Sequence, residues 1–413
     1  MKRILLLATT TGYQAGEFRR AADKLGVPLV LASDRCHVLD DPWRDGAIPV
    51  RIEDPEDSAR RIVEFARHTP VAGVAAIGDP VTRIAALVCR ELGIDFHSPE
   101  AVEAGRNKFL ARERYRAAGL PTPWFARFRA REEPPESVPF PCVLKPLGLA
   151  ASRGVIRADN RAEFLAAFRR IRALLESGDV RKMKDETSEW ILAEGFIPGR
   201  EVAVEALMTR GSLRTLAIFD KPDPLDGPYF EETIYVTPPR TELPVEEAIR
   251  VTLAQAVRAV GLSHGPLHAE MRINPDGIWM LEMAPRPIGG LCARTLRFSD
   301  GVSLEELILR HALGEPVDHL ERERAASGVM MIPIPSEGVL DAVEDLGPAS
   351  ATPGVEQIEI TAKLGQKLIP LPEGSSYLGF IFARGQSPED VEKSLREAHR
   401  KLRFEISVSL PVV

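Results

Sequence analysis

A chain of 413 residues is long enough for two to four domains with substantial cores, and 44% hydrophobic with 27% charged residues is the balance of a globular protein in water. The net charge of −7, with Lys and Arg spread throughout, argues against a nucleic-acid surface and favours a small-molecule substrate, including one carried with a cationic metal. Four distant cysteines (Cys36, Cys89, Cys142, Cys292) without a Cys-x-x-Cys argue against a disulfide framework and a zinc site, and fit a reducing cytoplasm.

The apolar start, Ile4 to Ala8, is too short for a signal peptide and reads as a buried strand; no stretch approaches a membrane span. A loop from Thr9 to Gly12 and a helix through Leu25 follow. Pro28–Ala32 and Val71–Ile77 are the next strands, separated by a helix over Pro55–His68. Strands alternating with helices indicate a doubly wound parallel α/β domain over residues 1–100. Loops at the carboxyl ends of such strands line a crevice, which marks Thr9–Tyr13 and Gly78-Asp79-Pro80 as candidate substrate loops. Thr9–Gly16 lacks Gly-x-Gly-x-x-Gly, so no dinucleotide site is assigned and an ordinary loop is the stronger reading.

A basic helix is expected over Ala101–Gly119, ended by Gly119-Leu-Pro-Thr-Pro. Pro141–Pro146 is a short strand carrying Lys145. The small-residue loop Leu147–Gly154 after it suits close approach of backbone N–H groups to phosphate. Helix Phe164–Leu175 and strands Trp190–Glu194, Arg200–Met208 and Leu213–Phe219 follow. Glu201, Ala203 and Glu205 share one face of the second of these strands. Lys221–Pro239 reads as a long loop, functional or mobile by its length. Val245–Val260 is an amphipathic helix.

Residues 265–290 carry the most informative pattern. His268, Glu270 and Arg272 alternate with Leu267, Ala269, Met271 and Ile273, and Pro275-Asp276-Gly277 fits a three-residue hairpin loop. With Asn274 facing Ile278, Glu270 falls opposite Glu282, placing two carboxylates roughly 5 Å apart. Such a pair is destabilising unless a cation stands between, and oxygen-only ligands suit Mg²⁺ better than zinc. A solvated hairpin is the alternative, and a two-residue loop would send the carboxylates to opposite faces. Beyond a helix at Ser303–Leu313 the chain turns strand-rich (Val329–Ile334, Gln357–Ile360, Tyr377–Ala383). A helix from Ser387 and a strand over Phe404–Leu410 complete a small α+β C-terminal domain, residues 326–413.

Taken in order, Lys108, the Lys145-Pro loop to Gly154-Val155, Glu194-x-Phe-Ile-x-Gly-x-Glu201, Glu270 and Glu282-x-x-Pro-Arg286 resemble the ATP-grasp superfamily of carboxylate–amine ligases. The resemblance spans roughly residues 1–320. It implies a mixed α/β and α+β multidomain fold: a pre-ATP-grasp domain (1–100), an ATP-grasp domain (101–325) with a lid at about 120–210, and the C-terminal domain. It further implies that Lys108 and Lys145 hold ATP phosphates while Ser152, Arg153 and Gly154 lie in a loop closing over them. Glu194, Phe196 and Ile197 would receive adenine, and Glu201 the ribose. Glu270 and Glu282 would bind one or two Mg²⁺ ions, with Mn²⁺ as a substitute, and Arg286 would steady the acyl phosphate.

One departure stands out: the family's Glu-x-Asn-Pro-Arg is Glu282-Met-Ala284-Pro-Arg here, so the amide ligand is missing. Amino-acid ligases that make dipeptides resemble this chain in that respect and in the Gly289-Gly290 that follows, with biotin-carboxylase-like proteins behind them. His268 could meet a substrate carboxylate or acyl phosphate, or be a satisfied structural histidine. The expectation is an ATP-dependent ligase joining a small carboxylate to an amine, both of them amino acids, in the cytoplasm, with neither nucleic acid nor membrane as partner. The C-terminal domain could cover the site or make a homodimer interface. The alternatives are an enzyme activating bicarbonate or another acid, and a nucleotide-binding protein without catalysis.

Overall fold

The computed structural model describes residues 2–9, 12–34 and 47–408. Cys36, Thr10 and Thr11, and the end of the last expected strand lie outside these residues; Cys89, Cys142 and Cys292 are buried free thiols.

At the N-terminus, four parallel strands lie in the order Ile48–Pro49, Leu29–Ser33, Ile4–Ala8, Gly73–Ile77. All five residues of Ile4–Ala8 are buried because both faces are covered. Leu5 and Leu7 pack on helices Pro55–His68 and Asp79–Leu92. Ile4, Leu6 and Ala8 join a core shared with Leu304, Leu307 and Leu309 of helix Leu304–Ala312 and with Ala203, Leu207 and Phe219 of the central sheet. The first α/β layer is therefore fixed against the rest by common apolar packing.

The central sheet has eight antiparallel strands, in the order Gly277–Ala284, Gly265–Asn274, Arg200–Thr209, Ser212–Asp220, Ile234–Thr237, Ala326–Ile332, Gly379–Gly385, Val355–Ile360. Three strands from Ala326 onward thus continue this sheet, while Lys367–Leu368, Gly338–Glu344 and Arg403–Ser407 pair in a separate antiparallel sheet. Helix Leu243–Val260 packs Ile249, Leu253, Ala256, Val257 and Val260 beneath it. A separate four-stranded sheet, Phe125–Arg129, Trp190–Gly195, Cys142–Pro146, Ile156–Ala158, is backed by helix Arg161–Leu175.

Three local expectations are corrected. The single helix over Ala101–Gly119 is two, Pro99–Arg106 and Lys108–Ala117. Asn107 breaks it by accepting hydrogen bonds from the N–H groups of Phe109 and Leu110 at 3.1 and 3.2 Å, an N-cap that competes with helix continuation. The Lys221–Pro239 loop contains strand Ile234–Thr237, which bridges the two halves of the central sheet. The hairpin loop is not Pro275-Asp276-Gly277: Asn274 pairs with Gly277, leaving two loop residues, and Met271 pairs with Met280. A bulge at Leu281 then adds one residue, so Glu270 still falls opposite Glu282.

Candidate active site

A cavity of about 830 Å³ opens between the first layer, the four-stranded sheet and the central sheet. Of the residues given a nucleotide, metal or acyl-phosphate role above, every one but Gly154 lines it: Lys108, Lys145, Ser152, Arg153, Glu194, Phe196, Ile197, Glu201, His268, Glu270, Glu282 and Arg286.

Two lysines enter from different elements. Asn107 fixes the helix start so that Lys108, its first residue, points Nζ at the carbonyl of Leu149 (2.9 Å) and at Glu282 Oε1 (3.5 Å). A lysine at a helix N-terminus is opposed by the helix dipole, so the dipole cannot be what holds it there. Lys145 leaves strand Cys142–Pro146 and meets Glu194 Oε1 at 2.7 Å. Arg112, one turn beyond Lys108, grips the same carboxylate through Nε (2.7 Å) and Nη2 (3.2 Å). Arg112 also donates to the carbonyls of Met280 (2.7 Å) and Leu281 (3.2 Å), the strand containing the bulge. Burial opposes ionisation of Glu194, but Arg112 and Lys145 outweigh it and bring its pKa down to about 2.

The loop after Lys145 holds Ala151, Ser152 and Gly154 at positive φ (56°, 54° and 74°). Gly154 is required there twice over, since a Cβ would also stand 2.6 Å from Pro146 Cγ. The loop is tied to a distant segment: Gly154 N–H donates to the Pro372 carbonyl (2.8 Å), and Arg153 Nε to that of Glu373 (2.7 Å).

On the linker, the Phe196 ring lies under two guanidinium groups, Arg157 at 4.1 Å and Arg272 at 5.1 Å. Arg272 also donates to the Ile197 carbonyl (2.7 Å) and, through Nε, to Glu201 (3.0 Å). Across the strands Arg272 pairs with Glu201, Glu270 with Ala203 and His268 with Glu205, so the charged faces of both strands coincide. Small Ala203 leaves room beside Glu270.

Lys221, 2% exposed, sits among Glu201 (2.7 Å), Glu232 and Glu270 (3.4 Å). Oxygens of these three carboxylates lie within 4.8 Å of one another. By donor type an oxygen-only set of this kind suits a hard divalent cation, and the Lys221 ammonium already supplies one positive charge to it. Glu282 stands outside that group, beside Lys108. Burial and the Glu270 charge push Glu232 up to about 7 despite Lys221. For Glu270, burial is outweighed by Lys221 and His268, which hold it well below the usual carboxylate range. His268 bridges Glu205 (Nδ1, 3.1 Å) and Glu270 (Nε2, 3.6 Å), and these carboxylates overcome burial to raise it to about 9. Glu205 also accepts the Ile288 N–H.

Arg286 makes a bidentate pair with Asp79, Nε at 3.1 Å and Nη2 at 2.9 Å, while Nη1 donates to the Pro287 carbonyl at 3.0 Å. Of the expected loop Gly78-Asp79-Pro80, Asp79 and Pro80 already belong to helix Asp79–Leu92, with Gly78 as its N-cap. Sequence reasoning missed Arg112, Lys221 and Glu232. The signal for Arg112 is its position four residues after Lys108 on one helix face, and for Lys221 and Glu232 only the length of the segment that holds them.

Residues 138–295 match the ATP-grasp domain, 18–95 the ATP-grasp N-terminal domain, and 330–407 the L-amino acid ligase C-terminal domain 2. The crystal structure of an L-amino acid ligase from Bacillus licheniformis is similar at a TM-score of 0.82 and 25% identity, covering 98% of this chain and 99% of that one. An uncharacterized protein, y4rH, from Sinorhizobium fredii is 24% identical over 418 residues, 98% of this chain and 84% of its own. Alanine–anticapsin ligase from Bacillus amyloliquefaciens is 24% identical over 271 residues, 62% of this chain and 56% of the ligase, so the match spans little more than half of that enzyme. Fold, ordered motifs and these likenesses agree on an ATP-grasp domain preceded by an ATP-grasp N-terminal domain, and over nearly its whole length the chain is similar to an L-amino acid ligase.

Proposed function

We propose that this protein is an ATP-dependent carboxylate–amine ligase that joins amino acids through an acyl phosphate, releasing ADP and phosphate. The observation that carries this reading is the convergence on one cavity of Lys108, Lys145, Glu270 and Glu282, from four separate elements, and of Arg286 just past the last of them. Likeness over nearly full length to an L-amino acid ligase supports amino acids as the substrate class.

Bound Mg-ATP supplies the transferable phosphoryl group and the divalent charge that neutralises it. In-line phosphoryl transfer asks a protein for positioning and charge complementarity rather than covalent chemistry. Lys108 and Lys145 would hold phosphate oxygens, each already aimed by a carboxylate partner. Glu270 and Glu282 would bind metal. Ala284 offers no ligand, and Glu232, whose carboxylate lies within 4.8 Å of that of Glu270, is a further oxygen donor on the Glu270 side. Phe196 and Ile197 offer an apolar wall for adenine, and Glu201 a carboxylate for the ribose. Arg286 faces the cavity with a fixed charge for the developing acyl phosphate. His268, held cationic by Glu205 and Glu270, can meet a substrate carboxylate. The 147–154 loop and the segment 221–239 would exclude water.

The test is ADP release with Mg-ATP against pools of amino acids and against bicarbonate. Release that needs amino acids, lost in Glu282→Ala while the variant keeps its fold, is the expected result. Near-wild-type turnover of Glu282→Ala would sink the metal assignment, and bicarbonate dependence would move the chain to carboxylase-like chemistry.

A further inference from the structure

Arg286 and Asp79 are 207 residues apart in sequence, yet they form a two-point ion pair at 2.9 and 3.1 Å inside the cavity wall. Both side chains are largely withdrawn from solvent, at 15% and 20% exposed. Asp79 is the first residue of helix Asp79–Leu92, after Gly78 at φ 90° and before Pro80. That placement makes the carboxylate rigid: a proline fixes the first turn, and the helix dipole favours an anion there. Arg106 and Lys108 add their charges to that of Arg286 around it.

A guanidinium has five N–H donors. Asp79 takes one on Nε and one on Nη2, and the Pro287 carbonyl takes one on Nη1. Two N–H groups are left, one on each terminal nitrogen, and Arg286 lines the cavity beside His268 and Glu282. We propose that Asp79 is a positioning residue: from the first α/β layer it clasps the inner edge of Arg286 and presents the remaining two donors to the anion formed during the reaction. This rests on the ligase reading of Arg286. The opposite role for the same contact is a plug, with Asp79 occupying the place of the substrate anion. A plug on a movable loop could withdraw, whereas Asp79 is built into a helix start whose next turn packs Val81 and Ile84 in the core.

Asp79→Asn keeps the shape and removes the charge; it is compared with Arg286→Lys and with the double variant. The readouts are kcat, KM for ATP and for the acid, ATP affinity, and the urea midpoint. Positioning predicts that Asp79→Asn lowers kcat about 10- to 100-fold, with ATP affinity and KM for ATP within about twofold of wild type. It also predicts non-additive midpoint shifts across the three variants. A plug predicts the reverse, a lower KM for the acid and undiminished kcat, and that result overturns the proposal. So does a purely structural role, in which the midpoint falls while kcat of the folded protein is unchanged. A wild-type chain that binds ATP but releases no ADP with any acid removes the ligase reading instead. The clasp is then judged by the unfolding cycle alone: non-additive shifts uphold it, additive shifts overturn it.

Discussion

At Glu194 two opposing effects of the protein interior meet, and their balance sets the charge beside Lys145. Burial alone would protonate the carboxyl, and the contacts from Arg112 and Lys145 reverse that. An unfolded carboxyl titrates near its ordinary value of 4.5 and the folded one at about 2. The unfolded chain therefore binds the proton first as pH falls, and the stabilisation, full above 4.5, is lost on the way down to about 2. Its size is on the order of 3 kcal/mol. Glu194→Gln should flatten this acid limb in urea unfolding measured from pH 6 to 3, and should weaken ATP binding because Lys145 loses its partner. An unchanged acid limb would show that Arg112 and Lys145 do not hold the charge. In sequence, Glu194 is visible only as the first acid of a motif. Its buried pairing is not, because Arg112 lies 82 residues away and ion pairs across that distance leave no local pattern.

Among elements, the hairpin and the interrupted helix teach different lessons. Alternation over residues 267–273 and the turn residues were enough to pair Glu270 with Glu282, yet the loop expected to produce that register is one residue too long. The bulge at Leu281 makes up the difference, and a bulge has no firm sequence signature; Arg112 reads it through the carbonyl of Leu281. Asn107 is the converse. Its polar side chain within a helical pattern was a readable stop, overlooked because the surrounding charges fit one continuous helix face. Asn107→Ala should cost about 1 kcal/mol as a lost N-cap. It should also raise KM for ATP more than it lowers kcat, since Lys108 loses its fixed origin. Steady-state kinetics with both substrates varied would check this; an unaltered KM would place the cap outside the binding machinery.

For the whole molecule, the alternating strands and helices of the first hundred residues specified the parallel layer, since each strand is a short apolar run bounded by turns. The continuous eight-stranded sheet was not visible, because pairing of Ile234–Thr237 with Ala326–Ile332 joins segments about ninety residues apart. That continuity brings the C-terminal segment to the 147–154 loop. Glu373 accepts from Arg153 through its carbonyl and pairs with Arg170 at 2.5 and 2.9 Å through its carboxylate. Glu373→Ala should speed hydrogen exchange over residues 150–155 and raise ADP release that is not matched by amide product, because the loop no longer excludes water. Unchanged exchange there would mean that the backbone contacts of Pro372 and Glu373 suffice.

The central claim is that a substrate carboxylate takes the γ-phosphoryl group of ATP before an amine displaces it. Transfer of oxygen isotope tests this most directly. Amino acids labelled with ¹⁸O in the carboxylate are turned over with Mg-ATP, and the released phosphate is analysed by mass spectrometry. The account predicts one ¹⁸O atom in each phosphate released with amide product. Phosphate free of label, at undiminished ADP release, would mean that water and not the carboxylate is phosphorylated, and would contradict the account.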